Sequence, residues 1–398
     1  MAVTELKSEI IAPFSNHLPV RVRFGDGVAL ELPGIVAAAG AGTALVVIDA
    51  GLEELSPAVA AVLDALAASG VEVVRSPKGA GEPRGSDVDR AADALRESGA
   101  GIVVAIGGGS VIDTAKAARL CVQRGLDFAA FVDSEREFPP PEVPLVAMPT
   151  TAGTGSEVSG GAVITDERTG VKLGIASPNL RAEHAVVDPV LTHSTPPATT
   201  SFSGVDAIAQ AIAGMVAKTR TPIGDAIALE AIRLGGRALA PAYRDGSDAA
   251  ARSEMACASL LAGLTMNISD CAAEHSLGQA IGSRFGAPHG LTIGLVLAET
   301  LERERQVVPE QLERVADALG APADGSGDGS RAVRAIRALL RELDFPVLAS
   351  LGVTEADLDD LTERTVGDFF IGQSPLPWTA TEVRGAFAEA LALADRAE

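Results

Sequence analysis

The stretch AIGGGSVIDTAK at residues 105–116 decides the fold that this sequence predicts. A β-branched, apolar run at 102–106 is typical of a buried strand, and residues 110–122 continue with apolar positions at helical spacing. Gly107, Gly108 and Gly109 stand between them without a Cβ, so backbone N–H groups can approach an oxyanion closely. The positive end of the helix points to the same place, so we predict a dinucleotide pyrophosphate site that includes Ser110 and Asp113.

A purely structural interpretation of the same stretch is also open. The glycines could form only a tight turn, and Ser110 with Asp113 could form a capping box of the S-x-x-D type. The spacing matches neither G-x-G-x-x-G nor the phosphate-loop pattern G-x-x-x-x-G-K-S/T. Three successive glycines exceed what a turn requires, which favours phosphate binding.

The neighbouring sequence alternates short apolar strands with helices. Strands are predicted at 21–24, 44–49, 71–74, 102–106 and 144–148, helices at 52–68 and 86–97, and a hairpin at 162–166 and 171–175. This alternation predicts a Rossmann-like parallel sheet with helices on both faces. From about Thr192 only helices follow, including segments at 203–218, 271–282 and 291–319. We therefore predict an α/β domain over residues 1–190 and an all-helical domain over 191–398.

Asp49 ends the predicted strand at 44–49. Ligands of parallel sheets bind beyond the carboxyl ends of the strands, where the glycine turn also lies, so Asp49 and the glycines could serve one ligand. A carboxylate there suits the hydroxyls of the adenosine ribose and repels a 2′-phosphate, which favours NAD over NADP. Alternatively, Asp49 could cap the helix that begins at Leu52.

Composition excludes several classes of function. The chain of 398 residues has 32 basic and 53 acidic residues, and its net charge of −21 argues against nucleic acid or an anionic membrane as a partner. No run of about 18 apolar residues occurs, and residues 1–10 lack the pattern of a signal peptide. The three cysteines have no C-x-x-C spacing. We expect a cytoplasmic protein with reduced thiols.

Four blocks of the sequence resemble one known family. GGGSVIDTAK at 107–116, PTTAGTGSE at 149–157, GVDAIAQ at 204–210 and PHG at 288–290, with His275 fourteen residues before His289, resemble the iron-containing (group III) alcohol dehydrogenases. The resemblance covers nearly the whole chain. It implies the architecture shared with dehydroquinate synthase, an α/β domain followed by an all-helical domain. It also implies NAD, a divalent metal ion and a homodimer or larger homo-oligomer.

The resemblance assigns the site residues. The loop after the strand at 144–148 contacts the cofactor in this family, which implies that role for Thr150, Thr151 and Thr154. Lys172 matches a lysine near the nicotinamide ribose. The metal positions of the family correspond to a set on three predicted helices, namely Asp206, Gln210, His275 and His289. Asp206 and Gln210 are four residues apart, so they share one helix face.

The sequence departs from the family at two histidine positions. Gln210 replaces a metal-binding histidine, and Gln279 replaces a catalytic histidine four residues after His275. A glutamine carbonyl is a weak neutral ligand and cannot carry a proton. The resemblance then implies a metal held by Asp206, His275 and His289, with Gln210 a weak ligand or none, and Zn²⁺ as plausible as Fe²⁺. The alternative is a lost metal site whose histidines only pack.

The function implied by the resemblance is an NAD(H)-dependent, metal-assisted alcohol dehydrogenase or aldehyde reductase. The proposed catalytic residues are Asp206, His275, His289 and Gln279, and the partner is a small alcohol or aldehyde. A reductase without metal, similar to maleylacetate reductase, a lyase of the dehydroquinate-synthase type and a non-catalytic NAD-binding protein are the alternatives. Arg284 could bind an acidic group of the substrate or simply lie on the surface.

Overall fold

The first half of the chain forms a six-stranded parallel sheet in the computed structural model, which describes residues 13–134 and 137–393. The strand order is β1-β8-β5-β4-β2-β3, and every neighbouring pair is parallel. A separate antiparallel hairpin consists of β6 and β7. The strands are β1 (Arg21–Phe24), β2 (Thr43–Asp49), β3 (Glu72–Lys78), β4 (Ile102–Gly107), β5 (Leu145–Pro149), β6 (Gly161–Asp166), β7 (Val171–Ala176) and β8 (His184–Val187).

Fifteen α-helices occur among the described residues. The first six helices cover the sheet, and the other nine follow the last strand in the chain. They are α1 (Leu32–Ala38), α2 (Leu52–Leu55), α3 (Pro57–Ala68), α4 (Gly85–Ser98), α5 (Gly109–Arg124), α6 (Phe128–Asp133), α7 (Pro197–Val216), α8 (Pro222–Arg244), α9 (Ala249–Ser269), α10 (Ala273–Phe285), α11 (His289–Glu304), α12 (Pro309–Ala318), α13 (Ser330–Glu342), α14 (Leu358–Val366) and α15 (Ala380–Ala392).

Both faces of the sheet are covered, as a near-continuous apolar strand requires. Along β2, Leu45 and Val47 pack with α4 and α5, whereas Val46 and Ile48 pack with α1 and α3 on the opposite face. Successive side chains of a strand alternate between faces, so one run of buried residues serves two cores. This arrangement brings the carboxyl ends of β2, β4 and β5 to one edge of the sheet.

The second half of the chain packs around α7. This helix is buried over most of its length and contacts α8, α9 and α11. Its apolar residues belong to the largest core cluster of the described chain. A polar side chain on such a helix lies inside the protein, where it requires a partner.

The predicted fold class, an α/β part followed by an all-helical part, is confirmed, and several element predictions are corrected. The helix predicted at 52–68 is two helices, because Ser56 breaks it and caps α3 through its hydroxyl, ahead of Pro57. The helix predicted at 291–319 is α11 and α12, with Pro309 opening the second. Strand β8 and helices α1 and α6 were not predicted, and β3 extends to Lys78 rather than ending at 74.

The helices were compared with the length and apolar character that a membrane-spanning helix needs. Within 13–134 and 137–393, no single helix is both long and apolar enough to cross a bilayer. Helices α9 and α10 pass the length and composition criteria only together, with a bend of 108° between them. The prediction that residues 1–10 carry no signal peptide lies outside the described residues.

Candidate functional site

The glycine turn connects β4 directly to α5. Strand β4 ends at Gly107, and α5 begins at Gly109 with Gly108 as its N-cap and no side-chain cap. The alternative capping box is therefore wrong, because Ser110 lies within the helix. Asp113 instead accepts hydrogen bonds from the Ser156 hydroxyl at 2.6 Å and the Val163 N–H at 2.9 Å. With no side chain capping it, the helix N-terminus remains open to an anion.

The threonine loop lies against the glycine turn. Pro149 is the register partner of Gly107, and the Thr150 N–H donates to the Gly107 carbonyl at 3.0 Å. A Cβ at Gly109 would stand 2.6 Å from Thr154 Oγ1, and one at Gly108 would stand 3.4 Å from Thr151 Oγ1. The absence of Cβ atoms lets the threonines approach the start of the helix this closely. The structure thus brings the predicted threonines and glycines together.

Asp49 lies beside the same turn. Strands β2 and β4 are neighbours, and a Cβ at Gly107 would stand 2.9 Å from Asp49 Oδ2. Burial raises the pKa of Asp49, while Lys78 and the Gly108 N–H act in the opposite direction. The alternative role as a helix cap is wrong, because Gly51 is the N-cap of α2 and no side chain caps that helix.

Lys116 is a structural residue of this site that the sequence reasoning left unassigned. Its side chain is fully buried, and Nζ donates to Ser156 Oγ at 3.0 Å, to the Ser159 carbonyl at 3.0 Å and to the Gly161 carbonyl at 2.8 Å. Burial lowers the pKa of Lys116 to about 8, and Asp113 opposes that shift. Helix α5 therefore holds the threonine loop through Asp113 and Lys116. In the sequence, the D-x-x-K motif formed by Asp113 and Lys116 was the signal that could have identified this role.

The second cluster joins three helices. Asp206 and Gln210 lie on α7, His275 on α10, and His289 at the first position of α11. Asp206 Oδ1 is 3.7 Å from His275 Nε2 and 3.6 Å from His289 Nε2. One atom from each of these three residues lies within 4.8 Å of the others.

Several polar atoms of this cluster lack hydrogen-bond partners although they are buried. They are Asp206 Oδ1, Gln210 Oε1 and His275 Nε2. Buried polar atoms without partners are rare in proteins, and each requires an explanation. A carboxylate oxygen, an amide carbonyl and an imidazole nitrogen are all metal-ligand atoms. The donor set therefore fits a divalent cation.

The neighbouring groups orient these donors. Gln210 Nε2 donates to Asp206 Oδ2 at 3.0 Å, so the carboxylate fixes the amide and leaves Oε1 free. Glu274 Oε1 is 2.7 Å from His275 Nδ1, so Nε2 is the nitrogen available to a metal. A carboxylate behind a ligating histidine fixes the ring and raises its basicity. Glu274 was not identified from the sequence, although it adjoins His275.

The pKa values of the two histidines are shifted in opposite directions. Burial alone lowers the pKa of His275, but Cys271 and Glu274 outweigh it and raise that pKa well above its ordinary value. For His289, burial lowers the pKa, and Asp206 opposes this effect. The charges of Glu82 and Lys172 also act on the pKa of His289, the first raising it and the second lowering it.

The threonine loop and the cluster of Asp206, His275 and His289 meet through α7. A Cβ at Gly153 would stand 2.6 Å from the Cβ of Ser203, which precedes Asp206 by three residues on α7. Lys172 on β7 reaches α10, where a Cβ at Gly282 would stand 3.2 Å from its Nζ. The threonine loop and Lys172 thus lie against the helices that carry Asp206 and His275.

Two further predicted residues lie on α10. Gln279 is half-buried one turn after His275, and its side chain forms no hydrogen bond within the described part of the chain. Arg284 is half-exposed and lies 3.5 Å from Asp357 Oδ1 and 3.3 Å from Asp360 Oδ2. Of the two interpretations of Arg284, these contacts favour a surface residue.

Comparison with known proteins matches the chain at both sequence and structure level. The profile of the family "Iron-containing alcohol dehydrogenase" matches residues 19–189, and "Fe-containing alcohol dehydrogenase family, C-terminal" matches residues 200–391. The choline dehydrogenase of Bacillus subtilis (strain 168) is 32% identical over 91% of this chain and 92% of its own length. The NAD-dependent methanol dehydrogenase of Bacillus methanolicus is 32% identical over 92% and 97%. A solved 1,3-propanediol oxidoreductase has a TM-score of 0.91 at 30% identity, with 95% of this chain and 100% of that chain covered.

Proposed function

Because the chain belongs to the iron-containing alcohol dehydrogenase family, we propose that it interconverts a small alcohol and its carbonyl compound with NAD(H) and a divalent metal ion. The family expected from the motifs is confirmed, and with it an oxidoreductase that acts on CH–OH groups. The names of the relatives support small alcohols and aldehydes as the substrate class.

The metal ligands are proposed to be Asp206, His275 and His289, with the Gln210 carbonyl oxygen as an additional donor. The observation that carries this proposal is the convergence of buried acceptor atoms without hydrogen-bond partners. When bound there, Fe²⁺ or Zn²⁺ supplies Lewis acidity to a substrate oxygen. Asp206 provides the negative charge of the set, and Glu274 holds the His275 ring in its ligating orientation.

The cofactor is proposed to be NAD rather than NADP. The pyrophosphate is expected at the N–H groups of Gly107–Gly109 and Ser110, with the hydroxyls of Thr150, Thr151 and Thr154 beside it. Asp49 would accept hydrogen bonds from the adenosine ribose, and Lys172 would lie near the nicotinamide ribose. Asp113 acts indirectly, because protein donors already occupy both of its carboxylate oxygens.

The proton of the reaction is expected to come from water or a ribose hydroxyl. Reduction of the carbonyl compound consumes one NADH and one proton and yields the alcohol and NAD⁺. The family resemblance implies that Gln210 and Gln279 occupy histidine positions, and an amide side chain does not titrate. Gln279, one turn after His275 on α10, is proposed to donate a hydrogen bond rather than to carry the proton.

The proposed domains are residues 1–190 for the dinucleotide and residues 191–398 for the metal and substrate. A homodimer or larger homo-oligomer is supported by the exposed apolar residues Val22 and Phe24 on β1, which pairs only with β8 among the described residues. Phe14, Leu18 and Leu30, close to β1 in the chain, are also exposed. The net charge of −21 supports the absence of nucleic-acid and membrane partners, and three unpaired cysteines support a cytoplasmic location.

Metal analysis combined with a cofactor assay tests this function. Protein purified without added ions is measured for bound iron and zinc, and NADH oxidation is then followed with short aldehydes before and after chelation. We expect bound metal and activity that chelation removes and metal restores. Metal-free turnover would favour a reductase similar to maleylacetate reductase. NAD binding without any redox turnover would favour a lyase or a non-catalytic protein.

A further inference from the structure

We propose that the ion pair between Glu82 and Lys172 restricts the substrate to alcohols and carbonyl compounds without an anionic substituent. Lys172 Nζ lies 3.2 Å from Glu82 Oε2. The lysine was expected from the family resemblance, whereas Glu82 was not singled out by any motif. This inference rests on the proposed function and specifies its substrate class.

The backbone around this pair is fixed on both sides. Lys172 on β7 is the register partner of Thr165 on β6, and the Thr165 N–H donates to the Pro83 carbonyl at 2.9 Å. The buried Lys78 holds the start of the loop, because its Nζ donates to the carbonyls of Gly79 and Gly81. Glu82 is therefore held beside Lys172 by contacts that do not depend on the ion pair itself.

The pair lies against α10, the helix that carries His275. Lys172 Nζ stands over Gly282, two turns along α10 from His275. A Cβ at Gly282 would also stand 3.5 Å from the Ala287 carbonyl oxygen and 3.7 Å from Thr292 Oγ1, and these two residues flank His289 in the chain. A substrate oxygen directed at Asp206, His275 and His289 would leave its substituent near this ion pair.

The charges at this place disfavour an anion. The Lys172 side chain is 8% exposed, so its charge is only weakly screened by solvent and is neutralised by Glu82. A carboxylate or sulfonate on the substrate would have to displace Glu82 from Lys172 and would meet its like charge. Arg284 offers no alternative, because Asp357 and Asp360 hold it on the far part of α10. An uncharged substituent neither has to displace Glu82 nor is repelled by its charge.

The test compares two aldehydes of equal chain length at saturating NADH. Butanal is neutral, and succinic semialdehyde carries a carboxylate at the other end. We expect the wild-type kcat/KM to favour butanal, and Glu82→Gln to shift the ratio toward succinic semialdehyde by about tenfold or more, because Lys172 is released. Glu254→Gln is the matched control, since Glu254 pairs with Arg237 on α8 and α9 and has a similar side-chain exposure, 31% against 32%.

Binding of unreactive amides provides a second readout. Calorimetry measures the affinity of the protein–NADH complex for butyramide and succinamate, and we expect the same preference and the same shift. Equal efficiency with both aldehydes in the wild type would overturn the inference and leave the dehydrogenase function intact. A Glu82→Gln ratio equal to that of the wild type would also overturn it. Failure to oxidise NADH with any aldehyde would contradict the proposed function and the inference together. The wild-type comparison stands even if the variant does not fold.

Discussion

Gln210 Nε2 donates to Asp206 Oδ2 at 3.0 Å, and both residues thereby keep one oxygen without a hydrogen-bond partner. The two oxygens lie one helical turn apart on α7. A carboxylate can only accept hydrogen bonds, so it directs the amide nitrogen toward itself and the amide carbonyl away. Gln210 is thus oriented as an oxygen donor.

Substitution of Gln210 tests this orientation. Gln210→Leu removes the donor to Asp206 and the free carbonyl, so we expect metal affinity to fall about tenfold. Gln210→His supplies an imidazole, a stronger ligand than a neutral carbonyl, and we expect tighter retention of metal against a chelator. Gln311→Leu on α12 is the control, because that helix carries none of the proposed ligands. An unchanged affinity in Gln210→Leu would contradict the assignment.

Glu274 is expected to act on the metal through His275. Replacing it by glutamine removes the carboxylate 2.7 Å from His275 Nδ1, which should lower metal affinity by about 10- to 100-fold. Competition titration with a chelator measures this change. Glu299→Gln provides the comparison, since Glu299 is also buried but lies 3.2 Å from Arg337 and not beside a histidine. Similar losses in both variants would indicate general destabilisation instead.

Asp49 is expected to exclude NADPH. Asp49→Ser removes the negative charge beside the glycine turn, so the ratio of kcat/KM for NADPH to that for NADH should rise about tenfold or more. The burial that raises the pKa of Asp49 also reduces screening of its charge. Steady-state kinetics with both cofactors measure the ratio. The exposed Asp64→Ser on α3 should leave it unchanged. A constant ratio in Asp49→Ser would refute the cofactor-selection role.

Glu157 should make stability decline with pH. Burial raises its pKa from 4.5 to about 7, so the folded protein keeps a proton that the unfolded chain releases between these values. The folded state then binds more protons, and its stability falls across this window, by about 3 kcal/mol from this group, with no further change above pH 7. Glu157→Gln should remove that part of the decline in urea unfolding at about pH 5 and about pH 8. Glu142→Gln, at an exposed position, should leave the decline of stability with pH unchanged.

Strand β1 is expected to mediate self-association. Val22 is 41% exposed and Phe24 38% exposed on an edge strand, which is a ready template for pairing with a second copy. Light scattering should give a dimeric or larger mass for the wild type and a smaller mass for Val22→Lys, because a buried lysine is costly at an interface. Val307→Lys, at another exposed apolar residue, is the control. A monomeric wild type would contradict the prediction.

Local sequence patterns were sufficient to predict the glycine turn and most of the helices and strands. A buried strand, three glycines and a helix are encoded within residues 102–122, so their geometry follows from neighbours in the chain. Two of the errors arose where one residue outweighed a periodic pattern. Ser56 and Pro309 each begin a new helix inside an apolar repeat that otherwise continues. Hydrophobic spacing alone does not register such a break.

The sequence by itself determined the family, the order of the two parts of the fold and the candidate ligands Asp206, His275 and His289, because motifs with fixed spacing carry them. Only the tertiary structure decided that Lys116 anchors the threonine loop, that Gln210 presents its carbonyl, and that Glu82 neutralises Lys172. Glu82 and Lys172 are ninety residues apart in the chain. Their pairing depends on the packing of the hairpin against the loop after β3, which no local pattern specifies.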